Sequence, residues 1–225
     1  MKTSDKSSRI DFGRLAAVAV FSFLMVLNFL WANRGIKTLF PIDTTKALAL
    51  AHTLLVAGFY VLIVSLYFLR SSASATTSSF TAKFIAVFAS FLPFFIPLLG
   101  SPAGAGPVIL TISNLVMLAG EVFTLAALGA LGKSFSIIPQ TRKLVVHGPY
   151  RLVRHPLYLG EIIGMLGLTL VGISIPKIFV FLLLVGCQVY RSIQEEKLLT
   201  TVCPEYADYA SKTARFLPGL FCMQG

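Results

Sequence analysis

Long uncharged apolar runs dominate this chain and restrict what it can become. A helix that crosses a bilayer needs about 20 mostly apolar residues. Residues 15–31 and 47–69 are such runs, with no charge in either. Residues 84–100 form a third, which Pro93 and Pro97 are expected to bend. Residues 107–131 form a fourth, with Glu121 as its one charge. Residues 157–173 and 178–190 are shorter and are split by Ser174-Ile175-Pro176-Lys177, so they read as a tight helical hairpin. The expected fold is all-α: a polytopic membrane helical bundle of about six spans, the last two a helical hairpin. Composition agrees. Hydrophobic residues make up 56% of the 225, and charged residues 12%. A soluble domain carries about 25% charged residues. An ordinary soluble enzyme, a disordered chain and a disulfide scaffold are all disfavoured.

The basic residues give an orientation. With the N-terminus in the cytoplasm and six spans, only Arg34, Lys37, Lys46 and Lys177 of the nineteen Lys and Arg fall outside. That asymmetry follows the positive-inside rule. It accounts for the net charge of +10 without nucleic acid. Both termini and the basic stretch 132–155 are then expected in the cytoplasm. The first run follows Lys2, Lys6, Arg9 and Arg14, as a signal peptide would. However, it is longer than a usual signal core and no clean small-x-small site follows, so a retained span is expected.

Other features carry less. Residues 71–79, rich in Ser, Thr and Ala, read as a flexible loop. Gly100, Gly104 and Gly106 lie between spans with no strand before them, so they read as a bent connection and not a nucleotide loop. Cys187, Cys203 and Cys222, with His52, His147 and His155, lack metal-site or disulfide spacing, so no metal is expected.

The chain divides at residue 131. Residues 1–131 hold four spans, and residues 132–225 are where polar, aromatic and charged residues gather together. Pro156 marks a helix start, where its missing N–H costs nothing. His155 then sits at the cap, with Tyr158 on the same face. The free N–H groups of a helix start suit a carboxylate or phosphate. An interface anchor of Arg, His and Tyr is the competing reading. Arg191 and Glu195 share a helix face. They read either as an exposed ion pair or as a polar clamp, in which Arg191 forks onto a carboxylate and Glu195 and Glu196 receive hydroxyl or amino groups. Glu121 near a bilayer centre is either functional or a protonated, hydrogen-bonded carboxyl. Tyr206, Tyr209, Phe216 and Phe221 read as an amphipathic element lying on the membrane, or more simply as packing.

These pieces form an ordered series: Leu144-Val145, Gly148-Pro149-Tyr150, Arg154-His155-Pro156-x-Tyr158-x-Gly160, Arg191-x3-Glu195-Glu196, Glu205-Tyr206-x2-Tyr209 and Arg215-Phe216-Leu217-Pro218. The series resembles the isoprenylcysteine carboxyl methyltransferase family, to which membrane methyltransferases of phospholipids and thiols are related. The resemblance covers about two-fifths of the chain and is carried by the combination, not by any single piece. It implies an integral membrane methyltransferase that uses S-adenosylmethionine, held by the C-terminal region in a cytosolic pocket. Arg142, Lys143, Leu144 and Val145 would run along the cofactor. Tyr150, His155, Pro156, Leu157, Tyr158 and Glu196 would complete its pocket. Arg191 and Glu195 would meet the polar end of a lipophilic substrate from the bilayer, most simply the carboxylate of an isoprenylcysteine-like acceptor. A phospholipid amine or small thiol is the alternative acceptor. An NADPH-dependent sterol-type reductase and a non-enzymatic membrane protein are the more distant readings.

Overall fold

The computed structural model describes residues 79–92, 107–132, 140–141, 144–170 and 172–217, with Ala75–Thr76, Leu99 and scattered positions from 19 to 65. The expected runs 15–31 and 47–69 lie outside the described residues apart from those scattered positions, as do Gly100, Gly104, Gly106, Arg142, Lys143, Phe221 and Cys222.

The described residues are mostly helical. α1 is Phe80–Phe91, α2 is Pro107–Leu131, α3 is Pro156–Leu170, α4 is Ile175–Val202 and α5 is Tyr206–Lys212, with a 3-10 turn at Gly148–Arg151. α1 starts four residues before the expected run, because the Ser79 side chain accepts from Ala82 N and caps it. α2 has the expected bounds, with Pro107 at its start and Gly132 past its end at φ 51°. β1 (Ala75–Thr76) and β2 (Gln140–Thr141) form an antiparallel pair two residues long. Part of the 71–79 segment, expected as a loose loop, is therefore tied to the basic stretch. Composition does not report where backbone groups find partners.

The hairpin is real but unequal. α3 ends near Gly172, whose φ of 65° suits glycine, and Ser174 caps α4 by accepting from Lys177 N. α4 does not stop at Tyr190, as the apolar run predicts, but continues to Val202. Hydrophobicity ends there, whereas helix propensity does not: Gln, Glu, Lys and Leu are good helix formers. α2 has 25 residues and α4 has 28. At 1.5 Å per residue they are about 37 and 42 Å long, against a hydrocarbon core of about 30 Å. Both are long and apolar enough to cross a membrane. Both also leave apolar side chains uncovered, among them Val108, Ile112 and Leu115 on α2 and Ile178, Phe179 and Leu182 on α4. Together these features mark the chain as membrane-associated.

α2 and α3 pack backbone to backbone. Gly160, Gly164 and Gly167 recur along one face of α3. A Cβ on Gly120 would stand 2.6 Å from Gly164 Cα, and one on Gly167 would stand 2.7 Å from Met117 N. Ser113 donates across the contact to the Gly167 carbonyl. Small residues allow this approach, and a hydroxyl in it supplies a bond that lipid cannot. α1 leans on α4 through Ala89, Leu92, Leu184 and Cys187, with Met165 of α3 beside them. α5 then turns the chain back. Residues after it run parallel to the segment before α3, with Arg154 N donating to Ala214 O at 2.8 Å and His155 N to Arg215 O at 3.2 Å. The tail through Phe216 thus packs on the chain's own polar segment, as the packing alternative has it, with Tyr206 buried.

Candidate active site

The polar residues of the motif series converge where α3 begins and α4 passes its apolar run. Pro156 opens α3, and His155 precedes it, 6% exposed. Tyr158 is one turn on and 3% exposed, and its ring lies parallel to that of His155 with centroids 5.6 Å apart. The Tyr158 hydroxyl donates to Glu195. The Arg191 guanidinium carbon sits 4.5 Å from the centroid of the Tyr158 ring, a cation–π contact. The Phe216 ring approaches His155 from the returning tail, 5.8 Å between centroids. α4 places Arg191 and Glu195, four apart, on one face, with Glu196 on the adjoining flank.

Glu196 is enclosed by cations. Arg215 reaches it with two nitrogens, Nε to Oε1 at 2.9 Å and Nη2 to Oε2 at 2.7 Å. Arg154 Nη1 reaches Oε2 at 3.2 Å, and His155 Nε2 lies 3.0 Å from Oε1. A bidentate guanidinium is the strongest and most directional partner a carboxylate has. The same contact holds the Arg215 guanidinium above its ordinary pKa. The His155 ring bridges the acidic pair, since Nδ1 lies 3.8 Å from Glu195 Oε2. Glu196 therefore ties three separate segments together, and both its oxygens are taken by protein donors. Tyr206 lies beside the Arg154 guanidinium, yet neither its hydroxyl nor Arg154 Nε completes a hydrogen bond of good geometry.

The remaining expected residues fall around this centre. Leu144 and Val145 are half-buried and lead into the 3-10 turn. Tyr150 is buried, and its carbonyl accepts from the Tyr209 hydroxyl at 2.7 Å. Burial pushes the Tyr150 phenol well up and those of Tyr206 and Tyr209 to about 12. All three are thus neutral donors at physiological pH. Pro156 and Leu157 are buried. Arg142 and Lys143 lie outside the described residues. A cavity of about 780 Å³ opens on the flank of the turn, lined by Leu144, Val146, Arg151, Cys203, Tyr209 and others. It borders the centre without containing His155, Tyr158 or Glu195. Among the described residues no three His, Cys, Asp or Glu are grouped to hold a metal ion.

Two further residues join the centre that the motif series does not flag. Gln188 receives Arg191 Nη1 on its oxygen at 2.9 Å and donates its amide to Glu161. Both carried a signal in the sequence, a polar or ionisable side chain inside an apolar run. The clasp of Arg215 on Glu196 carried none, since the two are 19 positions apart and no helical spacing relates them.

The sequence profile of the phospholipid methyltransferase family matches residues 108–203. The cobalt-zinc-cadmium resistance protein CzcN of Cupriavidus metallidurans is 33% identical over 114 residues, covering 45% of this chain and 52% of that protein. The nickel-cobalt-cadmium resistance protein NccN of Alcaligenes xylosoxydans xylosoxydans is 35% identical over 100 residues, covering 43% of this chain and 46% of that protein. The match spans about half the length of these curated relatives. The profile takes in α2, α3 and α4 with the turn between them, and so covers most of the centre just described. Residues 108–203 thus match the phospholipid methyltransferase family, in the group of membrane methyltransferases that the motif series resembles.

Proposed function

We propose that the chain is an integral, multi-pass membrane methyltransferase that moves a methyl group from S-adenosylmethionine to a lipophilic acceptor. One observation carries the reading. Within a family-matched region, His155, Tyr158, Arg191 and Glu195 meet at one end of two apolar helices. That end is the cytosolic rim on the positive-inside count, with both termini on the same side.

The residues fit the donor. It carries an apolar aromatic base, hydroxyls, a sulfonium and an amino-acid end. Stacked rings and a carboxylate suit a sulfonium. The incompletely bonded Arg154 Nε and Tyr206 hydroxyl are buried donors of the kind that would receive a carboxylate. When bound, the cofactor supplies a methyl group that is already activated. The chain's task is then alignment, which can supply several kcal/mol. Tyr158 and His155 form the wall. Glu195, fixed by the Tyr158 hydroxyl, faces the amino or hydroxyl groups of the ligand. Glu196 holds the wall in place from behind. Leu144, Val145 and Tyr150 line the approach.

On the acceptor side, Arg191 can hold an isoprenylcysteine-like carboxylate, which needs no base because it is ionised at neutral pH. A second reading, methylation of an amine or thiol, is favoured by Glu161, a carboxyl one turn deeper on α3.

Calorimetry on the purified protein in detergent tests the reading. S-adenosylmethionine or its demethylated product is expected to bind, and Tyr158→Ala or His155→Ala to weaken binding by about tenfold, the equivalent of about 1.4 kcal/mol. Arg191→Ala is expected to lower turnover and leave cofactor affinity nearly unchanged. Binding of NADPH with none of the sulfonium compound overturns the proposal.

A further inference from the structure

Depth in the bilayer can be read along α2. The antiparallel seam with α3 sets Gly160 against Thr124, Gly164 against Gly120 and Gly167 against Met117. Continued at the same register, Pro156 at the start of α3 stands level with Leu128. Val108 is the first large apolar side chain that α2 leaves uncovered. About 20 helical residues cross the hydrocarbon core, so counting from Val108 that thickness ends near Leu128. The 3-10 turn lies at the same depth. A Cβ on Gly148 would stand 3.2 Å from the Ala130 Cβ, and the two residues from Leu128 to Ala130 rise only about 3 Å. Both ends of the segment 148–156 are therefore at the boundary between acyl chains and headgroups.

This segment has unlike sides. Tyr150 and Val153 are buried, and the Tyr150 carbonyl accepts from the Tyr209 hydroxyl. Arg151 is exposed and lines the cavity on the flank of the turn with Glu205, Asp208 and Lys212, charged groups that call for water. Leu152 is 59% exposed and lines no part of that cavity. The returning tail brings a second aliphatic side chain to the same plane. Ala214 and Arg215 run parallel to Val153–His155, so the chain beyond them heads the way α3 does, toward the hydrocarbon. Leu217, 52% exposed, comes level with the start of α3. A lone apolar side chain on a wet surface needs no partner. Here two of them stand where the uncovered apolar surface of α2 ends, and they continue that surface.

We propose that Leu152 and Leu217 enter the cytosolic leaflet at the acyl–headgroup boundary and seat the 3-10 turn on the membrane, with phospholipid as the partner. Apolar groups held at this boundary sink about 5–10 Å into the leaflet. Lipid then holds the turn from one side while Tyr209 holds it from the other. The depth of the turn in turn fixes the position of Tyr150 and the entry of the chain into α3. The contact does not depend on what the site transfers, so it goes beyond the methyltransferase reading.

Depth-dependent fluorescence quenching of the full chain in phosphatidylcholine nanodiscs tests the contact. Trp31 is the single tryptophan, and Trp31→Phe clears the background. Into that chain go Leu152→Trp, Leu217→Trp, Leu182→Trp on the uncovered face of α4, and Ala207→Trp on the exposed side of α5. The first two are expected to lose about half or more of their emission to a lipid nitroxide placed just below the headgroup. They should lose far less to a nitroxide near the acyl terminus or to aqueous iodide. Leu182→Trp should answer to the deep nitroxide and Ala207→Trp to iodide alone. Quenching of the Leu152 or Leu217 variant by iodide and by no lipid nitroxide overturns the contact, and leaves both the spanning helices and the methyltransferase reading in place. Protection from iodide and nitroxide alike marks a protein covering, a second copy or another chain, and overturns it too. A Leu182 variant that no lipid nitroxide reaches overturns the spanning reading itself. Should Leu152→Trp fail to fold, a spin label on Leu152→Cys, with the native cysteines replaced by serine, decides. Greater accessibility to oxygen than to an aqueous nickel chelate supports the contact, and the reverse overturns it.

Discussion

Glu196 is the residue on which the most separate parts of the chain depend. It draws Arg154 and His155 from the segment before α3, and Arg215 from the tail, onto α4. Removing one partner of such a network leaves the others desolvated without a counter-charge. Glu196→Ala is expected to cost about 3 kcal/mol, read as a lower midpoint of thermal unfolding in detergent, and to weaken cofactor binding as the wall loosens. Arg215 is more than a third exposed at its side chain. Solvent already screens part of its charge, so Arg215→Ala is expected to cost only about 1 kcal/mol. Equal losses from the two variants would contradict the account of Glu196 as the hub. That His155 and Tyr158 share a face was legible at this scale from spacing alone, whereas Glu196 joined them only through the family resemblance. Arg215 was quoted as part of a motif with no partner in view, because only the return of the tail supplies one.

At the scale of elements, the α2–α3 contact sets the geometry of the site. Gly120 and Gly164 meet with no room for a methyl group. Gly120→Ala therefore forces the helices apart, with an expected loss of about 1–3 kcal/mol. Gly129 on the same helix has nothing within 4 Å of an added Cβ. Gly129→Ala is expected to be neutral or stabilising by up to about 1 kcal/mol, since alanine favours the helix. Thermal unfolding of the two variants side by side checks the contrast, and equal effects would count against a close-packed α2–α3 seam. The bounds of α2 and the start of α3 at Pro156 were readable because proline and glycine punctuate them. The end of α4 was not. Its apolar run stops at Tyr190, and the further turns that carry Arg191, Glu195 and Glu196 are helical through propensity and tertiary bonds.

Across the whole molecule, the docked tail gives an alkaline sensitivity. Burial raises the Tyr209 and Tyr206 phenols from 10.0 to about 12 in the folded chain. A group whose pKa is raised by folding gives stability that is complete below its unfolded value and lost as pH climbs through the folded one. The tail is therefore expected to stay docked up to about pH 10 and to loosen between about 10 and 12. Tyrosinate absorbance followed together with proteolysis after Lys212 checks this, and ionisation of both phenols near 10 would contradict it. Orientation belongs to the same scale. With the native cysteines replaced by serine, a cysteine at Arg151 is expected to label with an impermeant thiol reagent from the cytosolic face. One at Ile173 should label from the opposite face.

The sequence by itself determined the environment and the class of fold. Apolar length, the scarcity of charge and the sidedness of Lys and Arg are one-dimensional properties, and a bilayer responds to them directly. It also singled out the C-terminal region, since polar groups beside apolar runs stand out without a structure. Only the tertiary structure decided which of those groups face one another. The clasp of Arg215 on Glu196, the Tyr209 bond to the turn and the Gln188 bond to Glu161 join positions between 19 and 59 residues apart. No periodicity encodes such pairs. They exist because two glycine-faced helices approach closely enough, and a short tail folds back far enough, to bring these side chains within reach of one another.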